Sequence, residues 1–192
     1  NSHNTDTTNS HNTDMMNSQN TTIDSHNTTI NNAQIINNNI NLVAFGKENL
    51  GEIISDAECK RILFKGFEAV PALVERVHFN KATPQYHNCY ISNLRGKYAI
   101  IYDGENWILK KIDDVIEELK DNKRTYLENK FEDFYDSLCD NTKKKFERFL
   151  LEVDTDVVIS RYKESLTLLL YNKKGIILDT RKKFDTQNKL LK

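Results

Sequence analysis

Residues 1 to 32 read NSHNTDTT, NSHNTDMM, NSQNTTID and, one residue short, SHNTTINN, an eight-residue unit repeated with decay. A tract of Asn, Thr and Ser buries too little apolar surface to offset its ordering entropy, so a lone chain leaves it unfolded. The fold must therefore be built by the rest of the chain. Composition divides the chain at the same place. Residues 1 to 46 contain no Lys or Arg and only Asp6, Asp14 and Asp24, a charge of −3. Residues 47 to 192 hold all 27 basic residues and the other 25 acids, a charge of +2. We expect an Asn/Thr-rich arm or linker over 1–46 and a small α+β globular domain with a helical C-terminal part over 47–192. The arm has a second reading. Isoleucine accumulates toward its end, and Ile40, Leu42 and Ala44 alternate with Asn39, Asn41 and Val43, as in a strand with one buried face. Asn and Thr ladders form when identical strands stack, so the arm is expected to be either disordered or an oligomeric β-stalk.

In the body, Ser55-x-x-Glu58 has the form of a capping box ahead of AECKRILFK. Gly66 suits a helix C-cap or a tight helix–helix joint. A second helix is predicted over 68–77, with Pro71 in its first turn and Val70, Leu73, Val74 and Val77 on its apolar face. The period then changes. NCYISN, KYAIIYD and NWILKK are rich in aromatic and β-branched residues, and Asp103-Gly104 between the last two is a hairpin signal. A three-stranded antiparallel meander is predicted, with Tyr90, Tyr98, Tyr102 and Trp107 as the large side chains of its packed face. Helices complete the chain. One starts at Asp113 or Asp114 and continues through Leu127, Phe131, Phe134 and Leu138. A second is capped by Thr142. A third is capped by Thr155, with Val158, Tyr162, Ser165 and Leu169 along one face. The ending GIILDTRKKFDTQNKLLK reads as a short strand and a frayed basic tail.

Several function classes are disfavoured by composition. Neither charge value suggests capture of nucleic acid or an anionic surface, and the clusters Lys143-Lys144-Lys145 and Arg181-Lys182-Lys183 read as a solvated helix face and a solvated tail. Cys59, Cys89 and Cys139 stand far apart without a C-x-x-C pair, the pattern of reduced thiols rather than a disulfide framework or four-cysteine zinc site. No apolar run approaches the ~20 residues of a membrane span, so no membrane partner is expected. Asn1 in place of an initiating Met leads us to expect a piece of a longer protein.

Chemistry is suggested only by VHFNKATPQYHNCYISN, residues 77 to 93. One reading is a metal-dependent nuclease of the ββα-metal type, with His87 as general base before a hairpin and Asp114 and Glu117, one turn apart on the next helix, as metal ligands. Against it, three strands intervene where that motif has two, and His78 and His87 are not at a zinc-ligand spacing. The other reading makes His78, Asn80, His87 and Asn88 structural anchors, holding a helix end and the irregular backbone before Pro84. The second is preferred, with no cofactor implied and any metal left open.

At these residues the sequence resembles a family. FGKENL (45–50), VHFN (77–80), PQYHNCYISN (84–93), KYAIIYDG (97–104) and Asn106-Trp107 resemble, over about residues 40 to 125, an uncharacterised domain of mimivirus-like giant-virus proteins. There the domain often follows a C2H2-type zinc finger or a coiled coil, with an Asn-rich linker between. The resemblance implies a viral protein in the infected host cell cytoplasm (the viral factory) or the virion, and supplies no catalytic residues. No zinc finger is present in this sequence, so DNA binding is not carried over. The expected function is a non-enzymatic viral assembly or interaction module that self-associates into a homo-oligomer or binds other viral proteins. A DNA-associated regulatory fragment and the nuclease are the alternatives.

Overall fold

A computed structural model describes residues 40–190. Three short helical segments come first: α1 (Leu50–Ile53), α2 (Asp56–Leu63) and α3 (Ala69–His78). The strands β1 (Cys89–Tyr90), β2 (Tyr98–Tyr102) and β3 (Trp107–Lys111) come next, then α4 (Ile112–Phe134), α5 (Asp140–Glu152), α6 (Asp156–Asn172) and α7 (Lys174–Leu190). The sheet is antiparallel in the order β1-β2-β3, so the architecture is the predicted α+β: helices, a three-stranded meander, then helices.

Local chemistry accounts for the elements. Ser55 caps α2 by accepting from the Glu58 N–H at 3.3 Å, while the Glu58 carboxylate turns outward to Arg76. Gly66 has φ +56°, and a Cβ there would lie 3.3 Å from the Lys145 carbonyl, so it serves both the helix break and the approach of α5. Asp103 Oδ1 accepts from the N–H groups of Glu105 and Asn106, and Gly104 takes φ +112°, closing the β2–β3 turn.

The helices α3, α4 and α6 pack against one another and carry a core on each side. At one end Cys59, Leu63, Leu73, Leu127, Phe131, Phe146, Phe149 and Tyr162 fill the space among α2, α3, α4, α5 and α6. At the other, Phe45, Val74, Ala99, Ile101, Val115, Leu119, Leu166, Leu170 and Ile177 join the sheet to the helices. The four predicted apolar residues of α3, Val70, Leu73, Val74 and Val77, are all fully buried.

The structure differs from expectation in the C-terminal third and at the arm's end. The ending is helical throughout its described length: Ile177, Thr180, Arg181 and Phe184 recur at helical spacing, with Arg181 and Phe184 on Tyr90 and Tyr102 of the sheet and Thr180 on His87 just before β1. The apolar run Gly175-Ile-Ile-Leu178 imitated a strand because it is shorter than the period that distinguishes the two. Arg181 is consequently no solvated residue; it donates to the Tyr90 hydroxyl at 2.8 Å and lies over the Trp107 ring. The helix α5 starts at Asp140, which puts Thr142 inside its first turn, buried, with its hydroxyl 3.2 Å from Cys139 Sγ. Thr155 does stand at the N-cap of α6, but its hydroxyl donates back to the Glu152 carbonyl. The buried stripe of α6 is Val158, Tyr162, Leu166 and Leu170, rotated from the Ser165–Leu169 line. In the sheet, Tyr90 and Tyr102 are buried and Trp107 partly so, whereas Tyr98 is exposed.

Residues 40–44 form no strand. The Val43 and Phe45 N–H groups donate singly to the carbonyls of Gln85 and Tyr102, and Ile40 and Phe45 are buried against the body. The expectations for residues 1–39, disorder or β-stalk, lie outside the described residues. No described helix is long and apolar enough to cross a membrane.

Candidate functional site

The segments 45–50, 77–80 and 84–93 converge on one buried polar cluster, where α3 ends and β1 begins. Asn88 is at its centre, with no exposed surface. Its amide Nδ2 donates to the Val43 carbonyl at 3.1 Å and to Glu48 Oε1 at 2.7 Å, which orients Oδ1 toward His78. His78 Nδ1 lies 2.9 Å from that oxygen and 3.3 Å from the Tyr86 carbonyl. Both partners are acceptors, so Nδ1 carries the proton and Nε2 keeps a lone pair, buried without a partner. On its far side, Glu48 Oε2 faces Lys123 Nζ at 3.4 Å, and both side chains are sealed from solvent. The Gly46 N–H also donates to Glu48 Oε1, at 3.1 Å.

His87 belongs to an adjoining set. Its Nε2 stands 2.9 Å from the Asn80 carbonyl, which can only accept, so Nε2 carries the proton. Nδ1 then accepts from the Thr180 hydroxyl of α7 at 2.7 Å. Asn80 contributes its backbone carbonyl here, while its side-chain oxygen accepts from the Ala82 N–H. The set ties the loop after α3 to the C-terminal helix.

The electrostatics arise from burial. Burial, helped by the Lys123 ammonium, pushes the His78 imidazole down to about 4, against the pull of Glu48 and Asn88. Burial alone would raise Glu48, but His78, Lys123 and the Asn88 amide together hold it below the ordinary carboxylate value. Burial also lowers His87. At neutral pH the cluster is a Glu48–Lys123 ion pair beside a neutral His78, with His87 neutral in the adjoining set.

His78, Asn80, His87 and Asn88, the residues predicted as anchors, are thus brought together, although their partners are other than the end of α3. The nuclease set is not assembled. The His87 lone pair is occupied by Thr180, and Asp114 and Glu117 lie exposed on α4. No group of His, Cys, Asp and Glu suited to a metal ion occurs among the described residues. Glu48, Lys123 and Thr180 were missed in the sequence. For Lys123 a signal existed. It sits four residues from both Leu119 and Leu127, within the buried stripe of α4, and a lysine in an apolar stripe requires a buried acid.

No protein-family model, curated protein or solved structure matches the chain.

Proposed function

We propose that this protein is a non-enzymatic interaction module that assembles with copies of itself. The observation that supports this reading is the closure of the polar cluster. Its histidines, amide, acid and lysine are directed at one another, at the Thr180 hydroxyl and at backbone groups, leaving no ionisable side chain of the set open to a substrate. Such a network fixes the relative placement of α3, α4, β1 and α7, which is what a scaffold presenting surfaces needs. Large apolar side chains stand on the outside, with Leu151 85% and Val157 78% exposed at the α5–α6 corner and Leu109 66% exposed on the edge strand β3. The resemblance to giant-virus proteins extends the proposal to a viral setting, the infected cell's cytoplasm or the virion, with other viral proteins as further partners.

Light scattering on the whole chain and on a chain starting at Ile40, the first described residue, tests this proposal. The whole chain is expected to be oligomeric and the shortened one to be reduced in order. Strict monomers in both cases at high concentration would refute it.

A further inference from the structure

Away from the sealed cluster, and sharing no residue with it, a cleft of about 460 Å³ opens where β2 starts, β3 ends and α4 begins, with α6 as its far wall. That volume is in the ~300–1,000 Å³ range of small-molecule sites. Its charged lining is unbalanced: Lys97, Lys111 and Lys163 face one acid, Asp113, which is already paired with Lys163 at 2.8 Å. Among the described residues neither Lys97 nor Lys111 has an ion-pair partner. The fold holds these two together. Lys111 is the cross-strand partner of Tyr98, the residue after Lys97, and the Ile112 N–H donates to the Lys97 carbonyl at 3.0 Å. Lys97 itself stands opposite Ile112, so the two lysines are diagonal neighbours rather than directly opposed, and both line the cleft. Beside them Tyr98 is 50% exposed, where its strand neighbour Ala99 is fully buried.

We infer that this cleft binds a mononucleotide, with its phosphates on Lys97 and Lys111 and its base against Tyr98. Two unpaired ammonium groups match a phosphate chain, and an exposed aromatic face matches any base. The cleft is larger than a lone phosphate needs, and Leu94 and Ile112 add apolar lining suited to a ring. The Asp113–Lys163 pair supplies a polar wall of both signs, fit for sugar hydroxyls rather than for a second anion. Occupancy of the cleft does not depend on self-association.

Titration of the whole chain with ATP, adenosine and tripolyphosphate, monitored by calorimetry and amide chemical shifts, tests it. ATP is expected to bind with Kd below about 1 mM, shifting the amides of Lys97, Tyr98 and Lys111. Adenosine and tripolyphosphate are each expected to bind at least about ten-fold more weakly. Tyr98→Ala and the double variant Lys97→Gln/Lys111→Gln, all at exposed side chains, should each weaken ATP by about ten-fold or more with an unchanged unfolding midpoint. Absence of ATP binding, shifts confined to other residues, or tripolyphosphate binding as tightly as ATP would overturn the assignment. So would a single-stranded oligonucleotide that displaces ATP at far lower concentration. The wild-type shift map decides the matter even if a variant fails to fold.

Discussion

Replacing Lys123 with Met keeps an unbranched apolar stem, one atom shorter, and removes the charge. The structure makes the consequence calculable. Glu48 would lose a partner at 3.4 Å while remaining sealed from water, still accepting from Asn88 and the Gly46 N–H. The Coulomb attraction at that separation is about 5 kcal/mol at an effective dielectric near 20, and removing one member of a buried pair typically costs about 3–5 kcal/mol. We expect Lys123→Met to cost about 3–5 kcal/mol in denaturant unfolding at neutral pH. The double variant Glu48→Gln/Lys123→Met removes both charges, and should recover about 2 kcal/mol relative to the sum of the single changes. A further signature belongs to His78, whose Nδ1 is 4.0 Å from Glu48 Oε1. Without Lys123 one force that keeps this imidazole neutral is gone, so it can supply the missing cation, and the deficit of Lys123→Met should shrink as the pH falls below about 6. A single variant costing under about 1 kcal/mol, or strictly additive single changes, would refute the reasoning.

Two further predictions concern the histidines. His78 is held down to about 4 in the fold and returns to 6.5 when unfolded, so on acidification the unfolded chain takes the proton first. Its contribution is intact above pH 6.5 and is lost as the pH falls from there to about 4, by about 3 kcal/mol at ~1.36 kcal/mol per unit. Equilibrium unfolding across that window in wild type and His78→Gln measures it, and equal slopes in the two would contradict it. Thr180→Val removes the donor to His87 Nδ1 and leaves a buried acceptor unmatched, a cost of about 1–3 kcal/mol. The ring cannot escape by moving its proton, because Nε2 would then set a lone pair against the Asn80 carbonyl. An unchanged midpoint would show that the bond is not made.

The sheet and α3 were legible in the sequence because their signals are local. Asp103-Gly104 marks a turn by its own chemistry, and Val70, Leu73, Val74 and Val77 mark a face by spacing alone. The C-terminal helix was not legible. Whether Ile176-Ile177 extends or coils depends on Thr180 meeting His87 and on Arg181 and Phe184 meeting the sheet, a tertiary matter. The candidate site was half legible for the same reason. His78, His87 and Asn88 stand out as polar residues bunched around Pro84, but the partners that define them, Glu48, Lys123 and Thr180, come from segments 30 or more positions away. Thr142 and Thr155 show a related limit. Each looks like a cap, yet Thr142 lies within its helix and the Thr155 hydroxyl prefers the Glu152 carbonyl.

The central claim is that the histidines form an internal frame rather than a reaction centre. Their ring-nitrogen NMR shifts at neutral pH, with and without Mg²⁺, test it most directly. The structure predicts neutral rings with the proton on Nδ1 in His78 and on Nε2 in His87, both unmoved by the metal ion. A His87 ring that titrates near pH 6.5, or whose Nδ1 responds to Mg²⁺, would contradict it.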